Sequence, residues 1–265
     1  MRLTGKVIIV TGSTTGIGKA IAKKVVSEGA KVIIHGLEED LGQQVVSELG
    51  ADNAKLHIED ISNEGAAQRL VDIAVKTWGK LDSIVNNAAI VAASTLFDTD
   101  KAFLNRILEV NTISPFLLTQ AAISQLIQNK GAVLNIGSIN AYSGEHNLLA
   151  YSISKGALMT MTRNLGDSLF RENGVRVNQI NPGWVLTENE IARKKEHGLS
   201  DTWYENLPKN YAPAGRIILP EEIAAATIYW LADESGPISG QVVDLEQFPM
   251  IGRNIPKDEN SVPLK

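Results

Sequence analysis

Residues 7–21 read Val7-Ile8-Ile9-Val10-Thr11-Gly12-Ser13-Thr14-Thr15-Gly16-Ile17-Gly18-Lys19-Ala20-Ile21. A β-branched run passes through a glycine-rich turn into the first turn of a helix. Glycines let a backbone turn tightly and approach a pyrophosphate, whose charge then rests on helix N–H groups and the helix dipole. The turn alone is a weak signal, and its plain reading is a tight loop. Its position between a buried strand and a helix is the context that makes it a nucleotide site. The spacing G-x3-G-x-G differs from the usual G-x-G-x-x-G dinucleotide pattern.

Outward from this stretch, short apolar runs recur at Val32–Ile34, Lys55–Ile58, Ile84–Val85, Val133–Ile136, Val175–Ile180 and Gln241–Leu245. Helical patterns alternate with them at about 17–28, 39–49, 64–78, 100–128, 151–172 and 221–233. Strand–helix alternation of this kind predicts a doubly wound α/β fold of the Rossmann type, a parallel seven-stranded sheet with helices on both faces. Gly29, Asn173-Gly174 and Pro220 punctuate the helices where this reading needs ends and starts. Residues 1–248 are expected to form one domain for both dinucleotide binding and catalysis. Residues 184–219 break the pattern and look like an insertion over a site. Residues 249–265, with Pro249, Pro256 and Pro263, look like a tail.

Composition narrows the partners. The chain has 265 residues, 44% hydrophobic and 21% charged, with 25 Lys plus Arg against 30 Asp plus Glu for a net charge of −5. That acidic balance lacks a basic footprint, so no nucleic-acid partner is expected. There is no cysteine, which excludes disulfides, thiolate metal sites and a cysteine nucleophile; no metal is expected. No apolar run approaches the roughly 18 residues of a membrane span, and the start lacks the form of a secretory leader. A cytoplasmic protein without a membrane partner is expected.

At the end of the second strand the chain reads His35-Gly36-Leu37-Glu38-Glu39-Asp40. A ribose 2′-hydroxyl is often met there by an acid, a 2′-phosphate by a cation. No cation is placed for a phosphate, and the acids after Leu37 repel one, so NAD is favoured, with NADP left open. His35 as a neutral residue without direct contact is the plain alternative.

A second constellation carries chemistry. Ser138 ends the run Val133-Leu134-Asn135-Ile136-Gly137-Ser138, and Tyr151 and Lys155 follow four residues apart on a helix, hence on one face. An ammonium beside a phenol favours the phenolate and readies it for proton exchange with an alcohol or carbonyl. A short Tyr-x3-Lys match by itself reads more simply as a packed tyrosine and a solvated lysine.

With these motifs in order, the chain resembles the short-chain dehydrogenases/reductases, in their compact single-domain branch, over about residues 5–248. The pieces are Thr11–Gly18, Asp60, Asn86-Asn87-Ala88-Ala89, Asn111, Ser138, Tyr151 with Lys155, and Asn181-Pro182-Gly183 with Thr187. The resemblance implies NAD(P)-dependent hydride transfer on an alcohol or ketone. It assigns Gly12, Ser13, Thr14, Gly16, Ile17, Gly18 and Leu37 to the cofactor, with Asp60 on the adenine amine and Ile61 lining the ring. Asn87, Ala88 and Ala89 approach the adenosine. Lys155 takes the nicotinamide ribose, and Val185 and Thr187 fix the carboxamide after Pro182-Gly183. Ser138 orients the substrate oxygen, Tyr151 exchanges the proton, and Asn111 holds a water linking Lys155 to solvent. Asn111 could instead bridge helices, and Thr187 could start one. Ala89 stands where the family usually has glycine, and slight crowding is expected there.

For the substrate, Asn140, Glu145, His146 and Asn147 make the loop after Ser138 polar. Trp184, Glu188, Glu190, Arg193, Lys194, His197, Trp203 and Tyr204 lie in the insertion, which the family uses as a lid. Asn140, His146 and Trp184 are the expected substrate contacts, and a small polyol, sugar or hydroxy acid the expected substrate. The plain reading of Arg193–Glu196 is a solvated helix face. The family also implies a homotetramer, with the tail and its Arg253 either strapped onto a neighbour or disordered. Two alternatives stand beside the dehydrogenase: a non-catalytic dinucleotide-binding sensor or structural subunit, and a 3-oxoacyl reductase.

Overall fold

Seven strands alternate with helices in a computed structural model that describes residues 1–196 and 198–251. The strands are β1 (Val7–Val10), β2 (Lys31–Gly36), β3 (Ala54–Ile58), β4 (Ser83–Asn86), β5 (Ala132–Ile136), β6 (Arg176–Pro182) and β7 (Val242–Leu245). They form one sheet in the order β3-β2-β1-β4-β5-β6-β7, every pair parallel. The strand order reverses between β1 and β4, so a crevice opens beyond the carboxyl ends of those two strands. His197 and the tail beyond residue 251, including Arg253, Pro256 and Pro263, lie outside the described residues.

Period-two alternation sorts the strand residues onto two cores. Ile8, Val10, Val32, Ile34, Val85 and Leu134 pack against α1 (Gly16–Ser27), α2 (Glu39–Leu49) and α8 (Pro220–Leu231). Val7, Ile9, Ile33, Ile84 and Val133 face α3 (Ala66–Trp78) and α5 (Ser114–Asn129). Strands covered on both faces must be apolar throughout, which is why these short runs were readable. They extend past the apolar residues because polar ends join the ladder, as in the pairs His35 with His57 and Asn86 with Asn135.

The run expected as one helix over 100–128 is divided. α4 (Lys101–Leu108) begins at Asp100, whose carboxylate accepts the Phe103 N–H at 2.7 Å. A π-helical turn, Glu109–Ile113, then separates α4 from α5, with the Ser114 N–H donating to the Glu109 carbonyl. One inserted residue of this kind re-aims the side chains around it, and Asn111 sits inside it. α6 (Leu149–Asn173) starts two residues before Tyr151 and carries Lys155. The insertion at 184–219 is more ordered than its composition suggested, containing α7 (Glu188–Glu196) and a 3-10 turn, Trp203–Glu205.

Candidate functional site

The glycine-rich turn is made by close backbone contact. A β-carbon on Gly18 would lie 2.1 Å from the Gly12 carbonyl oxygen, and one on Gly12, at φ +61°, would lie 2.9 Å from the Ala88 α-carbon. The Asn87 amide holds the turn from across β4, donating to the Thr11 and Gly12 carbonyls at 2.9 and 3.0 Å. The Thr11 hydroxyl accepts the Asn87 and Ala88 N–H groups, each at 3.0 Å. α1 starts without a side-chain cap on Thr15 and without an acid in its first turn. Its leading N–H groups are therefore free of a protein anion, which is what a pyrophosphate requires. On this observation the residues fit a dinucleotide.

Several expected contacts are refined. The Ser13 hydroxyl turns inward, donating to the Val10 carbonyl at 2.7 Å and accepting the His35 N–H at 3.1 Å. Its backbone N–H is also engaged, donating to the His35 carbonyl at 2.7 Å, so neither donor of Ser13 is left for a ligand. The Thr14 hydroxyl donates to Glu38 at 2.6 Å, and that carboxylate also accepts the Leu37 N–H at 3.3 Å. A negative charge thus sits against the turn, while Leu37 is exposed. His35 is buried and accepts the Gly12 N–H on Nδ1 at 3.4 Å. Burial pulls its pKa down to about 4, so it is neutral at pH 7, with its proton on Nε2. The Asp60 carboxylate accepts the Ser62 N–H and hydroxyl at 3.0 and 2.7 Å and pairs with Arg106 of α4. Arg106 was not singled out from sequence, since 46 residues separate it from Asp60. Ile61 is buried beside Asp60. Ala89 is exposed, so the crowding expected of its methyl is not found within the chain.

At the reacting end, Tyr151 and Lys155 are 9% and 2% exposed, which rejects the reading of a solvated lysine. The Lys155 ammonium donates to the Ile136 carbonyl at 2.7 Å and stands 5.7 Å from the Tyr151 ring centroid. The phenol is pushed up by burial, and its hydrogen bond with Ser138 pulls it partly back down. Burial draws Lys155 down to about 7. The expectation that the neighbouring Lys155 ammonium lowers the phenol is therefore corrected: burial dominates and raises it, and the influences that pull it down come from Ser138 and Arg193. The Ser138 hydroxyl also accepts the Asn140 N–H at 3.1 Å, opening the 3-10 turn Ile139–Ala141.

Asn111 is fully buried and engaged at both ends of its amide. Its oxygen accepts the Ile90 N–H at 2.8 Å, and its nitrogen donates to the Ile90 carbonyl and the Ser154 hydroxyl, each at 3.0 Å. The bridging role left open by the sequence is the one this side chain performs. Thr187 likewise opens α7, its hydroxyl accepting the Glu190 N–H at 3.1 Å, while its methyl lies 3.4 Å from where a β-carbon on Gly16 would be. Val185 bridges to Ile218. Pro182 closes β6, and Gly183 lies against the Glu246 carboxylate, which accepts the Trp184 N–H at 3.0 Å.

A buried polar chain behind Ser138 was not legible in the sequence. Asn86 donates to Asn135, Asn135 to the Thr162 hydroxyl and Thr162 to Gln179, each at 2.8 Å. Gln179 then donates to Asn181 at 2.7 Å, and Asn181 to Asp244 at 3.0 Å. The Asn181 oxygen also accepts the Ser138 N–H at 3.2 Å, and Asp244 accepts the Tyr142 hydroxyl at 3.0 Å. Satisfied networks of this kind hold one arrangement firmly, because any unpaired member is costly.

Of the expected substrate contacts, Asn140 and Trp184 are half-buried and His146 is exposed. Trp184 stacks on Trp203 with ring centroids 5.0 Å apart, and Trp203 meets Tyr204 edge-on at 5.6 Å.

A parallel sheet in this order, a side-chain-free helix N-terminus at its switch point, and a buried serine, tyrosine and lysine together define a class, and the comparisons agree. A family model described as enoyl-(acyl carrier protein) reductase matches residues 12–246. The chain belongs to the short-chain dehydrogenases/reductases and is an NAD(P)-dependent oxidoreductase of the alcohol–carbonyl type. It is 35% identical to an NADP-dependent (R)-specific alcohol dehydrogenase of Lentilactobacillus kefiri, over 88% of this chain and 92% of the relative. Glucose 1-dehydrogenase 2 of Bacillus subtilis is 33% identical, over 90% and 92%. A 3-beta-hydroxysteroid dehydrogenase of Comamonas testosteroni is 31% identical, over 90% and 93%. No helix among the described residues is long and apolar enough to cross a membrane.

Proposed function

We propose that the protein interconverts a small polar secondary alcohol and its ketone, with NAD as the preferred dinucleotide, in one domain spanning residues 1–248. The observation that carries this reading is the burial of Tyr151 and Lys155 beside Ser138. The bound dinucleotide supplies the nicotinamide that exchanges a hydride with the carbinol carbon. Ser138 holds the substrate oxygen. Tyr151, as phenolate, accepts the alcohol proton in oxidation, and as phenol returns it in reduction. Lys155 passes the proton onward, and its fall to about 7 suits a group that must both hold and release one. Because the Asn111 amide is engaged with Ile90 and Ser154, the relay water belongs on a main-chain carbonyl of the π-helical turn.

NAD is favoured by the Glu38 carboxylate fixed at Thr14, which would repel a 2′-phosphate. The Lentilactobacillus kefiri relative is NADP-dependent by name, so this preference belongs to the present chain's own residues. A homotetramer is supported by exposed apolar side chains on α5 and α6, namely Ile113 just before α5, Phe116, Leu117, Ile127 and Ile153; sedimentation velocity reads that state directly.

Tyr151→Phe tests the central claim. It should lower turnover at least about a hundredfold, the size of a general acid–base contribution, with dinucleotide affinity unchanged by fluorescence titration. Retained turnover would refute the role of Tyr151. A sensor or structural subunit on the same fold predicts no turnover in either protein.

A further inference from the structure

The insertion at residues 184–219 is held at both of its roots by two side chains that the serine, tyrosine and lysine chemistry leaves unused. Its body is held from within. Glu190 is buried and accepts the Trp184 indole N–H at 2.8 Å and Nε of Arg193 at 3.0 Å, with the Lys194 ammonium 3.8 Å away. The plain reading of Arg193–Glu196 as a solvated face fails for its first two residues, which are half-buried, and holds for Lys195 and Glu196. None of these contacts reaches the sheet. The attachment to the sheet is made by the residues that leave β7.

β6 and β7 run side by side as far as the pair Pro182 with Leu245, and the Gly183 N–H donates to the Leu245 carbonyl at 2.9 Å. One residue further on, the half-buried Glu246 takes the first root: its carboxylate accepts the Trp184 N–H at 3.0 Å. A β-carbon on Gly183 would collide with that carboxylate, so only glycine lets it pass. The other Glu246 oxygen accepts the Gln247 N–H at 2.7 Å. Gln247 takes the second root. Its amide oxygen accepts the Ala214 N–H at 2.9 Å, and its nitrogen donates to the Arg216 carbonyl at 2.7 Å. The Arg216 guanidinium is forked on Glu222 in the first turn of α8, at 2.9 and 2.7 Å. The two roots also pair with each other, the Leu186 N–H donating to the Ile218 carbonyl at 2.8 Å and the Ile218 N–H to the Trp184 carbonyl at 3.0 Å.

The segment held in this way abuts the nucleotide cradle. Val185 and Ile218 are buried with Ile223 of α8 and pack against Ile17 in the first turn of α1. The Thr187 methyl lies 3.4 Å from where a β-carbon on Gly16 would be. Trp184–Thr187 therefore runs from the Glu246 carboxylate to the glycine-rich turn. A segment that must be ordered by its ligand loses affinity to that ordering, and one held beforehand does not. A carboxylate on one main-chain donor is the stronger of the two holds, since hydrogen bonds to charged groups exceed neutral ones. We propose that Glu246 and Gln247 are positioning residues, a clasp that fixes both roots of the insertion and sets Trp184–Thr187 to receive the nicotinamide carboxamide. This rests on the dinucleotide oxidoreductase reading of the site, in which Val185 and Thr187 take the carboxamide. The clasp acts through the main chain of residues 184–187 and 214–216.

Calorimetric titration with NADH and with ADP-ribose, which lacks the nicotinamide, tests this on the wild type, Glu246→Ala, Glu246→Gln and Gln247→Ala. In Glu246→Ala the affinity for NADH should fall about tenfold further than that for ADP-ribose, the size of one hydrogen bond to a charged group. In Gln247→Ala the difference should be about threefold, as for neutral hydrogen bonds. Glu246→Gln, whose amide oxygen can still accept the Trp184 N–H, should recover most of the loss. A residue that serves stability alone would move both ligands together. An equal fall for the two ligands, or no fall, in either alanine variant therefore overturns the clasp and leaves the dinucleotide reading standing. So does a Glu246→Gln no better than Glu246→Ala. A wild type that binds neither ligand sinks the dinucleotide reading itself. ADP-ribose binding by a variant certifies that it is folded, and Gln247→Ala, which removes no charge, carries the test if Glu246→Ala does not fold.

Discussion

The two ends of the site are built from different materials. The nucleotide end is backbone: Gly12 and Gly18 bring main chain within contact of main chain, and the hydroxyls of Ser13 and Thr14 are engaged inside the protein. The other end, in residues 184–219, is made of long side chains, with Glu190, Arg193, Lys194, Trp184 and Trp203 holding one another. A site made of backbone tolerates no added atom, because neither neighbour can move without moving a strand. A site made of side chains can be changed one contact at a time.

That contrast can be broken at three points. The largest effect belongs to Gly18→Val, whose first added carbon would stand 2.1 Å from the Gly12 carbonyl and 2.5 Å from the Asn87 amide. Overpacking of that kind costs about 1–3 kcal/mol or more. With the cradle itself displaced, dinucleotide affinity should fall at least about a thousandfold, some 4 kcal/mol, in a fluorescence titration. Retained affinity would mean that the turn is not a contact-limited cradle.

A smaller effect is expected where the Glu38 charge sits against the glycine-rich turn. Glu38→Gln should improve NADPH binding about tenfold relative to NADH, as for removal of one exposed charge near the 2′-phosphate. An unchanged ratio would remove Glu38 from cofactor choice.

The smallest effect is on stability. Lys155 has a folded-state pKa of about 7, below its unfolded value of about 10.4. The folded state then holds fewer protons between those values, so the burial penalty is full below pH 7 and disappears as pH rises towards 10. Lys155→Met should raise Tm by a few degrees, roughly 1 kcal/mol, at pH 6. The gain should shrink by pH 10, while turnover is lost. The unmet Ile136 carbonyl offsets part of the gain. A gain that grew with pH would contradict the buried, partly neutral lysine.

Local chemistry was legible where it repeats along the chain. The apolar runs, the glycine spacing and the four-residue step from Tyr151 to Lys155 are short-range, and each survives into the fold with its boundaries moved by one or two residues. What was missed joins residues far apart in sequence. Arg106 meets Asp60, and Tyr142 meets Asp244 across 102 residues. The π-helical turn was hidden because Glu109–Ile113 continues the same helical periodicity as its neighbours.

Alone, the order of amino acids determined the doubly wound sheet and the glycine-rich turn, because periodicity and glycine placement act over a few residues; the serine–tyrosine–lysine set was legible only through the family resemblance. Only tertiary structure decided that Asn111 is a bridge, that the phenol rises on burial, and that two cations of α7 share one buried carboxylate. Those outcomes depend on desolvation and through-space charge, which have no magnitude until the chain has closed around them.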